Sequence, residues 1–412
     1  MGQLARLAGL AVCLLALLTM CSFPGRATRI SAFVPPPTAV LGPTVQPSVT
    51  PAPGAGGPAA TPVLEVGQQA PPLAAMMSPA TTGELPPDIA ARVAQMDSYL
   101  ATLTQQGAFS GSVLVAYHGK VLLSGGYGLA NREQAIPAAA STRYRLASVT
   151  KPLTALGVLR LAAAGKLNLD ASVCTYLSPC PPAWGPITIA NLLGQSSGLP
   201  NFTDFAEFPS QEQLPATPDQ VIARFRDLPL GFTPGTLYQY TNSNFVVLAR
   251  VIEQVTGESY EQYMRRELFA PLGMDDTGLD PGDFSPLNGT RGYSGGALDI
   301  PLDVSNLYGA GDLYSTVGDL HKLAVALDSG RVIPGDLAAR MATPGQGRYG
   351  LGWMVEQRGP NRLIYHPGSM SGAATWFGRY PEAGLTIVVL SNDYYANVFA
   401  VADYLASQLL PQ

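Results

Sequence analysis

The sequence predicts an α+β domain, an α/β sandwich in which one antiparallel sheet is flanked by helices and joined to an all-helical lobe. Three observations predict it. Strand-like segments occur near residues 112–124 and return at 351–390. Helical patterns bracket both groups. The stretch between, from about 148 to 326, reads as helices and long loops. Strands at both ends with helices between imply one sheet assembled from the two ends, the middle forming the second lobe.

The N-terminus reads as an export signal. Arg6 supplies positive charge, and residues 7–20 form an apolar run too short for a comfortable membrane span. Residues 1–21 are therefore assigned as a signal peptide or a lipoprotein signal. Leu18-Thr19-Met20-Cys21 resembles a lipoprotein cleavage box that would lipidate Cys21, although Met20 stands where a small residue is usual. The expected location is extracytoplasmic, either secreted or anchored to the membrane through the N-terminus. Residues 22–86 are rich in Pro, Ala, Gly, Thr and Val with no sustained period, a composition that builds no core and reads as a disordered stalk.

The folded domain is expected over residues 87–412. Pro87-Asp88 is a helix start, followed by a stripe of Ile89, Val93, Met96, Leu100 and Leu103. Residues 112–116 and 121–124 flank His118-Gly119-Lys120, a hairpin signal. Strands are expected at 351–356, 363–365, 374–377 and 385–390, then a last helix over 396–409.

Composition narrows the function classes. With 47% hydrophobic and 13% charged residues, the chain can bury a large core. Its net charge of −5 argues against a nucleic-acid partner, which requires clustered Lys and Arg. His118, His321 and His366 lie far apart and no zinc-type spacing occurs, so a metal site is not expected. Export favours a disulfide between Cys174 and Cys180 over two semi-buried thiols, and closing so short a loop stabilises by about 2 kcal/mol.

Three short motifs carry chemistry. In Ser148-Val149-Thr150-Lys151 a Ser precedes a Lys by three, ahead of an apolar helical stretch. Pro152 fits only in the first turn of that helix, which puts Ser148 at its N-terminus. Residues three apart share a helix face, so the amine lies beside the hydroxyl, and desolvation there can free the amine to act as a base. Tyr240-Thr241-Asn242 precedes an amphipathic helix. A phenol beside an ammonium can titrate low enough to relay a proton, and the Asn amide can hold a substrate carbonyl. His366-Pro367-Gly368-Ser369 ends a strand. Gly368 allows close approach of substrate backbone, and the amides of Ser369 and Ser148 can form an oxyanion hole. Each motif alone is also compatible with ordinary packing. Tyr395-Ala396-Asn397 is a rival to the second, discounted for its order. Gly194-Gln195-Ser196-Ser197-Gly198 and Gly292-Tyr293-Ser294-Gly295-Gly296 match a nucleophile elbow, but neither has the strand before and helix after that an elbow requires.

Together, in that order, the three motifs resemble the serine β-lactamase and penicillin-binding-protein superfamily. The likeness is to the branch holding class C β-lactamases, D-alanyl-D-alanine carboxypeptidases and family VIII esterases. It runs from about Phe109 to the C-terminus, with support from residues 165–170, 187–199, 311–320 and Tyr349-Gly350-Leu351-Gly352-Trp353. The resemblance implies a β-lactamase/transpeptidase-like fold. It makes Ser148 the nucleophile, Lys151 and Tyr240 the proton relay with either as the acylation base, and Asn242, His366, Gly368 and Ser369 the substrate-binding set. It implies a small-molecule, ester or peptide substrate and no cofactor. Relatives that hydrolyse β-lactams usually carry Lys-Thr-Gly where this chain has His366-Pro367-Gly368; His366 can still donate, but Pro367 brings no hydroxyl. Gln195 stands where many relatives have His. The leading expectation is therefore hydrolysis of an ester or amide. A D-Ala-D-Ala carboxypeptidase or a β-lactamase is one alternative, and a non-catalytic cell-wall-binding relative is the other.

Overall fold

The structure, a computed structural model, describes residues 88–284, 289–300 and 302–410. The export signal, Cys21 and the stalk lie outside these residues.

Apolar runs at the two ends of the domain form a six-stranded antiparallel sheet. Its strands are β1 (Gly111–Tyr117), β2 (Lys120–Tyr127), β3 (Met354–Arg358), β4 (Asn361–Met370), β5 (Ala373–Tyr380) and β6 (Leu385–Ser391), in the order β3-β4-β5-β6-β1-β2. The hairpin β1–β2 is thus stitched to the C-terminal strands by pairing β1 with β6, Gly111 opposite Ser391 and Tyr117 opposite Leu385. Both faces of the sheet are covered, so β6 is buried along its whole length and carries an unbroken apolar run, Ile387 to Leu390, instead of alternating. Val113, Val115, Ile387 and Val389 pack on one side under α1 (Ile89–Gln105) and the C-terminal helix Val398–Ser407. Tyr99 stacks on Tyr404 there, with ring centroids 3.8 Å apart. Leu114, Ala116, Val388 and Leu390 face the opposite way, into the larger core of the helical lobe.

That core is centred on α2 (Thr150–Ala163), which is buried on almost every side, as expected of a helix with no polar face. Leu153, Leu156 and Leu159 are each fully buried and contribute about 1.5–3 kcal/mol apiece, which offsets the cost of enclosing one amine in the same helix. A second central helix, α3 (Ser243–Thr256), packs against α2 and ends at Gly257, whose φ of 73° closes the helix in the left-handed conformation. Cys174 and Cys180 are disulfide-bonded at the edge of this lobe, with Cα atoms 5.3 Å apart.

Candidate active site

Ser148 sits in a single 3-10 turn, Ala147–Val149, that runs straight into α2. Ala147 before it has φ 49°, a left-handed conformation that costs a non-glycine residue of order 1–3 kcal/mol and lifts the next side chain out of the helical path. Ser148 is accordingly partly exposed while Ala147, Val149 and Lys151 are buried. One turn on, Lys151 Nζ lies 3.0 Å from Ser148 Oγ, 2.7 Å from Asn242 Oδ1 and 2.8 Å from the carbonyl oxygen of Ala310. Burial holds this amine well below its ordinary pKa, and the charge of Asp312 opposes that only in part.

The number of partners defines what the neutral amine can do. It has two N–H groups and one lone pair. Asn242 Oδ1 and the Ala310 carbonyl are acceptors only, so they take the two N–H groups. The lone pair is left to the Ser148 hydroxyl, the one partner that can give up a proton.

The Tyr240-Thr241-Asn242 segment is clamped from several sides. Gln195 Oε1 accepts from Thr241 N at 3.0 Å and from Asn244 Nδ2 at 2.7 Å, and the Gln195 carbonyl accepts from Gln239 N at 2.9 Å. Asn242 N donates to Asn201 Oδ1, and Asn242 Nδ2 donates to Thr203 Oγ1. This fixes Asn242 Oδ1 toward Lys151. The Tyr240 ring lies 4.9 Å from Lys151 Nζ, and its hydroxyl is within hydrogen-bonding reach of Ser148. Burial lifts the Tyr240 phenol above its ordinary range. The expectation that a neighbouring ammonium lowers it is therefore corrected, because the desolvation that neutralises Lys151 also removes the charge that would do so.

The third motif lies on β4, past the end of β3, whose pairing stops at Tyr365. Ser369 is exposed on this free edge. Gly368 lies against the backbone around Ser148: a Cβ here would stand 2.3 Å from the Leu146 oxygen and 3.1 Å from Ser148 N. Its lack of a side chain thus seats the Ser148 turn on the strand that carries Ser369. His366 differs from expectation. It is buried, its Nδ1 lies 2.7 Å from the Pro367 carbonyl and its Nε2 is 2.9 Å from Tyr349 Oη. Since a carbonyl only accepts, Nδ1 carries the proton and Tyr349 donates to Nε2. Desolvation pushes the imidazole down to about 3. With both nitrogens engaged, His366 supports the wall of the site and has no N–H left for a substrate.

The candidate serines and the asparagine of the rival motifs bond elsewhere, although Gln195 of the first motif clamps the Tyr240 segment. Ser196 follows the short helix Ile189–Leu193 and receives a hydrogen bond from Asn191. Ser294 bonds Asp299 within a two-residue hairpin strand, and Asn397 caps the last helix. Gln195, Thr203, Ala310 and Asp312 join the site without having been singled out as site residues from sequence. Only Gln195 carried a signal, as the place where many relatives have His.

Residues 89–410 match the family model described as Beta-lactamase. The chain is 31% identical over 299 residues to the putative penicillin-binding protein PbpX of Bacillus subtilis (strain 168), covering 70% of this chain and 72% of that one. It is 28% identical over 324 residues to penicillin-binding protein 4* of the same organism, covering 72% and 71%. Among solved structures it matches the octameric penicillin-binding protein homologue from Pyrococcus abyssi with a TM-score of 0.70 at 26% identity, covering 77% of each chain. It also matches the D-amino acid amidase from Ochrobactrum anthropi SV3 with a TM-score of 0.68 at 24% identity, covering 78% of this chain and 98% of that one.

Proposed function

Because the chain belongs to the Beta-lactamase family of serine hydrolases, we propose that it cleaves a small ester or amide through an acyl-enzyme on Ser148, with Lys151 as the acylation base. The observation that carries this reading is the buried Lys151 amine, whose two fixed acceptors leave its lone pair to Ser148. In acylation the Ser148 proton passes to Lys151 Nζ as Oγ bonds to the substrate carbonyl carbon. The oxyanion is met by the amides of Ser148 and Ser369. Tyr240, held protonated, passes a proton to the departing alcohol or amine as the C–O or C–N bond breaks, and is reprotonated from Lys151. Water then enters by the reverse path and releases the acid.

Esters are favoured over substrates recognised through a carboxylate. Pro367 has no hydroxyl, and His366 is spoken for on both nitrogens. Peptidase and β-lactamase activity are the secondary readings. A purely binding role would not need an amine desolvated at this cost. The disulfide supports an extracytoplasmic location, secreted or held by a lipid on Cys21.

The test is intact mass and peptide mapping after incubation with a fluorophosphonate, beside rates on p-nitrophenyl acetate, p-nitrophenyl butyrate and nitrocefin. The adduct is expected on Ser148, with ester turnover well above nitrocefin turnover. Ser148→Ala should abolish turnover and keep the fold. Activity surviving in Ser148→Ala but lost in Ser196→Ala would overturn the assignment.

A further inference from the structure

Behind Lys151 the fold buries an acid that the steps above leave unused. Asp312 is 2% exposed, and neither carboxylate oxygen meets a well-formed hydrogen-bond donor; the amides of Gly309 and of Asp312 itself act on it from poorer geometry. Leaving a carboxylate so enclosed costs several kcal/mol unless a charge compensates it.

The segment that carries Asp312 is laced to the nucleophile helix along its length. The Ala310 carbonyl receives Lys151 Nζ at 2.8 Å, Leu313 N donates to Thr150 Oγ1 at 3.2 Å, and Leu146 N donates to the Leu313 carbonyl at 2.8 Å. Thr154 Oγ1 donates to the Gly309 carbonyl at 2.7 Å. Asp312 therefore has no freedom to swing toward solvent.

The groups facing it are few. Asp280 acts on it with like charge but is committed to Arg145, whose Nε lies 2.5 Å from Asp280 Oδ2. Tyr260 shares its hydroxyl with Thr154, and Tyr308 donates to Glu253. Among the charged groups that act on Asp312, Lys151 is the only one of opposite sign. We infer that Asp312 is a positioning residue for the base, a buried counter-charge that sets when Lys151 holds a proton, and this rests on reading Ser148 as nucleophile and Lys151 as base.

The step it serves is the transfer of the Ser148 proton to Lys151 Nζ. An ammonium created inside an apolar helix is costly, and a carboxylate locked two residues from Ala310 offsets that cost without competing for Ser148. Desolvation, opposed in part by Lys151, leaves Asp312 raised to about 7, so the protonation of each group depends on that of the other.

Asp312→Asn removes the charge and keeps the shape. With it gone the Lys151 ammonium loses its partner, so the acid limb of the acylation profile moves to lower pH. The plateau falls about tenfold because a weaker base accepts the proton more slowly. The measurement is the p-nitrophenol burst from p-nitrophenyl acetate across roughly pH 5–9, with Asp312→Ser as a smaller second variant and thermal melts beside both. A merely structural role would lower stability without displacing the limb. Acylation of parent Ser148, shown by mass, with the limb unmoved in both variants overturns the role of Asp312 alone. A parent that never acylates Ser148 overturns the reading on which it rests. Should neither variant melt cooperatively, aspartate labelled with carbon-13 in the parent is followed by infrared difference on acylation; a changed carboxyl band supports the counter-charge and an unchanged one overturns it.

Discussion

Gly368→Ala tests the seating of the nucleophile directly. The added Cβ would stand 2.3 Å from the Leu146 oxygen and 2.2 Å from Thr375 Oγ1, where ordinary contacts begin at 3.4 Å. Thr375 can rotate away, at the loss of its 2.7 Å hydrogen bond to the Leu146 carbonyl, about 1 kcal/mol. The carbonyl itself is backbone and cannot turn aside without carrying Ala147 and Ser148 with it. Relief therefore moves the Ser148 turn off β4 by about 1 Å, a misplacement that costs on the order of 100-fold in rate. The overpacking adds about 1–3 kcal/mol of destabilisation, or roughly 1–2 °C in Tm for each kcal/mol in a domain of this size. The assay is the burst rate with an activated p-nitrophenyl ester beside a thermal melt. The expected result is a cooperative melt, modestly lowered, with acylation down about 100-fold. Acylation within a few fold of the parent would refute the claim that Gly368 seats the nucleophile.

Lys151→Arg should lower acylation by about 10²–10⁴-fold, because a guanidinium keeps the charge but cannot give up its proton; Tyr240→Phe should cost less. Near-parental burst rates in the Arg variant would transfer the role of base to Tyr240. His366 makes the fold acid-sensitive. Its folded pKa of about 3 lies below the ordinary 6.5, so between these values the unfolded chain binds more protons. Its stabilisation is full above 6.5 and drains as pH falls. From pH 6.5 to 5 the loss is about 2 kcal/mol, and urea midpoints of His366→Gln should fall correspondingly less over that interval. Cys174→Ser with Cys180→Ser should lower stability by about 2 kcal/mol and leave the burst rate unchanged, since the pair lies at the lobe's edge; a lost burst would contradict that placement.

The sheet was legible because apolar runs of strand length cluster at the two ends of the domain, and Ser148 and Lys151 were legible because their spacing is itself a helix face. Tyr240 and Asn242 were readable as a motif, but not the loop that aims them. Gln195 reaches that loop through a side-chain oxygen across 46 positions of sequence, and the Ala310 partner of Lys151 is a backbone carbonyl, which any residue type supplies. The second strand of the C-terminal group is expected from sequence to end at Tyr365, shortly before Pro367, a residue that is rare inside strands. It runs on to Met370, and the proline is tolerated where β4 has lost β3 as a neighbour. The same misreading left His366 at a strand end, free to donate, when it is enclosed in the middle of the strand.

The pairing of β1 with β6 has a temporal consequence. Gly111 and Ser391 are neighbours in the sheet yet about 280 positions apart in the chain, a high contact order whose loop-closure entropy is met before the contact rewards it. A chain synthesised from its N-terminus presents Ser148 and Lys151 long before β4 exists to seat them. Hydrolytic competence therefore arrives last, with the final strands, and the two halves of the site meet only once the sheet has closed. A chain interrupted before β4 carries Ser148 without the strand that seats it.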